Sequence, residues 1–480
     1  MVDSSAVLRN FVGGEYVDTV DGETTPLVDP CTEEEVGSAG LSRWADVDGA
    51  LRRAESAQET WAGTTPADRQ RALLKLADSV EDAAADFVFA ECAMTGKPVR
   101  QVVEEELPQA VDQIRFFAGA ARVLDGTAGG EYLAGHASML HSEPLGVCAQ
   151  VTPHSHPLVF AASSVAPALA AGNAVVLKPA ETTPTTSLLL AEHAAAVLPP
   201  GVFNVICGDR DTGRAMVAHE TPRLIALTGA VRSGMEVAGS AAGDLKRVHL
   251  RLGGKAPAVV FADVDVPDTA ARLVRAAFAN GGQDCLSATR VLAADAVYDE
   301  LLAEIAARAE ALRTGPPQDV SADYGPLNNA VQFDQVNGVL QRLPDHAEVL
   351  TTGGPTGSRG YFVRPTVIAG VEQDDEVVQN EVFGPVLTVQ RFTDVEDALL
   401  LANGVRYGRA ASVWTADNAL AARVASALSF GSVWVNTHGS VAAEMPHNGF
   451  RHSGHGTGVS RHGLDDYTRF KHVMTSLKPS

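Results

Sequence analysis

The chain has 480 residues, 45% hydrophobic and 20% charged, with 44 glycines and 25 prolines spread along its length. That length exceeds what one simple core fills, so two or three domains are expected, and the composition is that of a folded globular protein. A formal net charge of −22, without a Lys/Arg run, speaks against nucleic acid and anionic membranes as partners, because both need a basic face.

Five cysteines, Cys31, Cys92, Cys148, Cys207 and Cys285, fall at irregular spacing without a CxxC pair. Neither a disulfide framework nor a metal site is read, and a reducing compartment is expected. The opening residues, MVDSSAVLRNFVGG, lack the charged and apolar regions of a signal peptide, and no apolar run reaches about 18 residues. The expectation is a soluble cytoplasmic protein.

Residues 46–62 and 66–96 carry apolar side chains at helical spacing, with Pro66 suited to a first helical turn. The stretch YLAGHASMLHSEPLGVCAQVTP then alternates and runs into an apolar segment, which reads as a hairpin arm followed by a core strand. From about 146 to 260 apolar strands alternate with helices: GVCAQVT, LVFAASSVAPALAAG, NAVVLKP, TPTTSLLLAEHAAAVL, GVFNVIC and RLIALTG. Such a series implies a parallel sheet covered on both faces, a doubly wound architecture of the nucleotide-binding type. A second α/β series runs from about 257 to 462. The tail GLDDYTRFKHVMTSLKP ends in alternation suited to pairing with the arm of another subunit.

Several stretches carry candidate chemistry. In FANGGQDCLSATR, Cys285 follows a glycine pair and precedes an expected helix whose dipole would favour a thiolate; the alternative is a buried structural cysteine. LTGAVRSG, residues 227–234, follows an apolar strand and opens a helix, so its glycines and first-turn N–H groups could cradle a diphosphate, or could serve turn geometry alone. In VVLKPAET, Lys178 and Glu181 could grip ribose hydroxyls or form a surface ion pair. NEVFGPV sets Glu381 and Phe383 beside a Gly-Pro turn.

Together these motifs, with APALAAGNAVVLKPAE, LGGKAP, GYFVRPTV, YGRAASVWT and VWVNTH, resemble the aldehyde dehydrogenase superfamily from end to end. RFFAGAAR, GGQDC, EMPHNGF and GLDDYTRFKHVM look most like its aminoaldehyde branch, in particular γ-aminobutyraldehyde dehydrogenases. The resemblance implies an α/β fold with a Rossmann-type NAD-binding domain (1–121 and 146–253), a catalytic domain (254–462) and an oligomerisation arm (122–145 and 463–480). It implies NAD as cofactor, a small aldehyde or related carbonyl as substrate, no metal, and a homodimer or homotetramer. Cys285 matches the attacking thiolate, Lys178 and Glu181 the adenosine-ribose ligands, and Glu381 with Phe383 the nicotinamide-ribose contacts. Thr228, Gly229, Gly234 and Leu252 fall with the cofactor-binding residues, and a carboxylate at Glu181 would repel a 2′-phosphate.

Two positions depart from the family pattern. Where Pro-Trp-Asn is usual, residues 153–157 read PHSHP, so Ser155 replaces the oxyanion-hole asparagine; where LELGGK is usual, Arg251 replaces the catalytic glutamate. Losing an oxyanion donor costs about 3–4 kcal/mol in the barrier. An arginine cannot serve as general base, so thioester hydrolysis should slow by roughly 10² to 10⁴ unless another group substitutes. His154 and His156 are candidates for that role, or they fill volume left by the aromatics. Arg251 binds an anionic substrate group or the developing oxyanion, or it pairs with an acid such as Glu444. Glu106 and Asp112 either hold an amine or form a solvated helix face. The readings carried forward are an oxidoreductase acting through a Cys285 thioester with atypical deacylation, transfer of that acyl group to an amine or thiol, an ordinary aminobutyraldehyde dehydrogenase with a relocated base, and a non-catalytic member that keeps the dinucleotide site.

Overall fold

The computed structural model describes residues 7–124 and 129–477. The first six residues of the leader reading, four residues of the arm and the last three of the tail lie outside that range.

The N-terminal helices form as their sequence dictates. The Thr65 hydroxyl accepts the Asp68 N–H at 3.2 Å and Pro66 occupies the first turn of Pro66–Asp82, so the start is capped and φ is preset. Leu73, Leu76, Ala77 and Val80 are buried on one face of this helix. The expected helix over 66–96 is two, Pro66–Asp82 and Ala84–Thr95, because Ala83 leaves helical geometry at φ −95° and ψ 21°.

Two large sheets organise the chain. In the first, five parallel strands lie in the spatial order Arg247–Leu252, Leu224–Gly229, Val147–Val151, Ala174–Lys178, Phe203–Val205, with antiparallel strands at both edges. The order runs outward in both directions from Val147–Val151, so the topology reverses between that strand and Leu224–Gly229. In an open α/β sheet a ligand cleft forms at such a reversal, beyond the carboxyl ends of the strands. Val151, Thr228 and Lys178 all sit at those ends.

The second sheet runs Glu348–Val349, Thr366–Ala369, Val386–Phe392, Arg290–Ala294, Pro257–Val260, Ala410–Trp414, Ser432–Val435 and is parallel except at its first strand. Apolar clusters cover both faces of each sheet, the burial that parallel sheets require. Cys285 lies on the connection between Val266–Phe278 and Arg290–Ala294.

The tail differs from expectation. Thr468–Ser476 pairs antiparallel with His136–Pro144 of its own chain, in unbroken register from Thr468 opposite Pro144 to Ser476 opposite His136, and Gly130–Leu133 forms the third strand. The chain turns back through Ser460–Asp466 beside the helices of the first sheet, which brings the tail within reach of its own arm. Among the described residues, no helix is long and apolar enough to cross a membrane, and no cluster of His, Cys, Asp or Glu could hold a metal ion.

Candidate active site

A cavity of about 570 Å³ opens at the topological reversal, lined by Thr152, His154, Ser155, Lys178, Glu181, Thr228, Gly229, Leu252, Cys285, Glu381 and Phe383 among others. Lys178 ends a wholly buried strand, and its Nζ donates to the carbonyls of Pro179 and Gly208, both at 2.9 Å. It is therefore a buried, oriented cation and not half of a surface ion pair. Its burial lowers its pKa, against the pull of Glu181.

After Thr228 and Gly229 the chain enters the helix Val231–Ala241, whose preceding residue, Ala230, has no side-chain oxygen to cap it. The first-turn N–H groups are left for an acceptor in the cavity. A Cβ at Gly229 would meet nothing within 4 Å, so the floor there is open. Gly234 is set apart: a Cβ there would lie 2.5 Å from Leu252 Cδ1, so this glycine lets the helix pack closely on the strand and does not line the cavity.

Glu381 and Phe383 enter from the second sheet's side. Glu381 Oε1 accepts the Gly254 N–H at 2.9 Å; burial pushes its pKa to about 7, against that bond and the nearby Lys255. Phe383 adopts φ 57°, unusual for a non-glycine residue, and Gln332 Nε2 donates to its carbonyl and to that of Val382, both at 2.9 Å.

Cys285 lines this cavity and a second one of about 770 Å³, and the two share Phe160, Arg251 and Cys285. No helix follows the cysteine, which sits in a turn, so a helix dipole does not activate it. Burial pushes its thiol up to about 11; Arg409 and Arg251 pull down while Asp284 and Glu381 push up. The turn is held from behind: Asn280 Nδ2 donates to the Ser155 carbonyl at 3.0 Å, and Gln283 Nε2 to the Pro326 carbonyl at 3.2 Å. A Cβ at Gly254 would come within 2.4 Å of the Cys285 carbonyl, which requires glycine there.

Arg251 reaches the junction of the two cavities from the strand Arg247–Leu252. Its guanidinium lies 5.2 Å from the Phe160 ring centre and donates to Ser163 Oγ at 3.2 Å. The expected alternative, a pair with Glu444, does not form; that residue is exposed and no ion pair to Arg251 exists among the described residues. Burial and the neighbouring Arg409 lower its pKa to about 10, which leaves it cationic at neutral pH.

Ser155 is 4% exposed and lines only the first cavity. The two histidines are separated. His154 lines the first cavity, packs edge-on to Phe383 at 5.9 Å, and its Nε2 is buried without a hydrogen-bond partner. His156 lines the second, with Nε2 3.9 Å from Glu106. Burial lowers both, His154 to about 4, so both are neutral at pH 7.

Glu106 is not on a solvated face. It is 2% exposed, and both its oxygens accept from Lys97 Nζ, at 2.7 and 2.8 Å, with Glu91 3.9 Å from the same Nζ. Asp112 is exposed at the mouth of the second cavity. The sequence reading missed Arg409, which is 2% exposed, lines the second cavity and donates to the His447 carbonyl at 3.4 Å. An arginine opening the otherwise apolar run AASVW was the available signal.

The aldehyde dehydrogenase family model matches residues 16–473. PnpE from Pseudomonas sp. WBC-3 is 32% identical, with 99% of each chain covered and a TM-score of 0.96. Betaine aldehyde dehydrogenase from Staphylococcus aureus, solved in complex with NAD+, is 28% identical over 98% of this chain and 95% of that one, at a TM-score of 0.95. A mutant aldehyde dehydrogenase from Bacillus cereus is 31% identical over 98% and 97%, at 0.96. With nearly its whole length matched by the family model and by these folds, the chain belongs to the aldehyde dehydrogenase family.

Proposed function

We propose that the protein binds NAD in the first cavity and oxidises an aldehyde, or its hydrated or amine adduct, through Cys285, with deacylation that does not follow the usual glutamate-assisted route. The observation that carries this is the meeting of both cavities at Cys285 with Arg251 in place of a carboxylate. The residues present fit a dinucleotide: uncapped N–H groups and open floor at Gly229 for the diphosphate, Lys178 and Glu181 on one side for a ribose, Glu381 and Phe383 on the other. When bound, NAD supplies the hydride acceptor.

The chain's own part begins with proton loss from Cys285. The thiolate adds to the carbonyl carbon to give a thiohemiacetal, whose oxyanion is met by the Arg251 cation and the Ser155 hydroxyl. After hydride loss a thioester remains. At its junction position Arg251 cannot take a proton from water, and His154, held near 4, is a weak base. Acyl transfer to an amine or thiol acceptor escapes this limit, because such acceptors need less base assistance than water.

A second reading, a relocated base, rests on Glu381, whose carboxyl is held near 7 on the wall that Cys285 also lines. The kinship with aminoaldehyde enzymes is proposed as lineage only, since the buried acid nearest the second cavity, Glu106, is already neutralised by Lys97.

The deciding measurement is NADH formed per active site on rapid mixing with excess NAD and an aldehyde panel. A burst of about one equivalent followed by a near stop is expected; sustained turnover in water would replace atypical deacylation with the Glu381 reading. Cys285→Ala should abolish the burst; the non-catalytic alternative would show as NAD binding with no burst from any aldehyde, whereas no NAD binding would remove the dehydrogenase reading itself.

A further inference from the structure

Two guanidinium groups reach the second cavity beside Cys285. Arg409 sets its Cβ against Gly254, whose own Cβ position abuts the Cys285 carbonyl. Arg251 packs against Gly458, where an added Cβ would lie 3.0 Å from its Nε. Gly458 and His447 exchange backbone hydrogen bonds at 3.0 and 3.3 Å, and Arg409 donates to that same His447 carbonyl. The two cations therefore flank one bridge, on one cavity wall, next to the nucleophile.

Neither has an acidic partner. Among the described residues no ion pair involves Arg251 or Arg409, and each Nε is buried without a hydrogen-bond acceptor. The groups they contact directly are neutral: Ser163 Oγ, the Phe160 ring and a carbonyl. Three of the acids lining the cavity are engaged elsewhere or lie at its mouth, and the fourth, Asp284, acts on Arg251 electrostatically without pairing with it. Glu106 is paired with Lys97 and Glu105 with Arg275 at 2.9 Å, Asp112 is exposed, and Asp284 accepts the Leu286 N–H at 2.9 Å. A buried Arg409 beside a half-buried Arg251, with no ion-paired counter-charge, is costly, and each leaves planar donors unused.

We propose that Arg251 and Arg409 form a carboxylate-binding subsite and that the substrate is a short aldehyde acid, its carboxylate held between the two guanidiniums while Cys285 meets its carbonyl. This rests on the reading of Cys285 as nucleophile. Two forks of parallel N–H donors match the two oxygens of a carboxylate, whereas an ammonium-bearing aldehyde would be repelled.

The test needs neither NAD nor turnover. Cys285 is alkylated in the intact protein with iodoacetate and with iodoacetamide, and each modified cysteine is quantified by mass spectrometry, with the half-buried Cys31 as internal reference. Thiolate reactivity alters both reagents alike; an anion site accelerates iodoacetate only. The expected iodoacetate-to-iodoacetamide ratio is about tenfold to a hundredfold higher at Cys285 than at Cys31, falling by about tenfold or more in Arg409→Met and in Arg251→Met and retained in part in Arg409→Lys. Succinate or malonate should protect Cys285 from iodoacetate at lower concentration than inorganic phosphate. Equal ratios at the two cysteines in the unsubstituted protein, or protection by phosphate alone, would overturn the carboxylate subsite. Failure of NADH formation with every aldehyde, alongside an intact ratio, would sink the dehydrogenase reading instead.

Discussion

At neutral pH the Cys285 thiol is protonated, because burial outweighs the two arginines that favour its anion. Its folded-state pKa lies above the ordinary value of 9.0, near 11, so the thiolate fraction keeps rising with pH beyond the point where a free thiol has levelled off. The rate of iodoacetamide modification at Cys285 should accordingly climb to about pH 11; a plateau by pH 9 would show that the arginines prevail. Arg251 sets the second residue-scale expectation. Arg251→Glu places a carboxylate at the junction of the cavities and should turn the burst into continued turnover with a neutral aldehyde, by about 10²-fold in steady-state rate. An unchanged steady state would mean that the missing base does not limit deacylation.

Between elements, the buried cluster of Lys97, Glu106 and Glu91 ties the end of the helix Ala84–Thr95 to the start of Leu107–Ala120, across a π-helical turn at Val102–Glu106. Burial raises Glu91 to about 8, with repulsion from Glu106 adding to it, while Lys97 holds Glu106 below its usual value despite burial. Lys97→Met would leave the Glu106 carboxylate without its cation, and we expect a loss of about 3–5 kcal/mol in unfolding free energy, read by denaturant titration. A loss below about 1 kcal/mol would show that Glu106 protonates at little cost. Nothing in the spacing of VVEEEL separates the buried Glu106 from its exposed neighbours Glu104 and Glu105; the π-turn shifts the helical phase and turns Glu106 inward.

For the whole molecule, the three-stranded arm carries exposed Tyr132, Leu133, Met139, Phe470 and Met474, a group of large apolar side chains on one element of the kind that marks an interface. We propose a homodimer or homotetramer built on this arm. Light scattering should give two or four times the chain mass, and Tyr132→Asp with Phe470→Asp should lower it; a monomeric unsubstituted protein would refute the arm's role. The tail's pairing with its own arm was not legible in the sequence, because alternation fixes which face a strand buries but not which strand it joins.

The sequence by itself determined the family and the alternating α/β layout, since apolar runs and glycine-bearing turns are local properties and the motifs occur in a fixed order. It also exposed the substitutions at Ser155 and Arg251, because a motif departs visibly where a residue type changes. Tertiary structure alone decided what surrounds them. Arg409 lies 158 positions beyond Arg251 by number, and only the fold, which sets a strand of the first sheet and the entry to a strand of the second beside one cavity, brings the two together. Only burial decided that Cys285 rests as a thiol, that the two histidines are neutral and face different cavities, and that Glu106 is spent on Lys97, because solvation follows from packing and not from residue type.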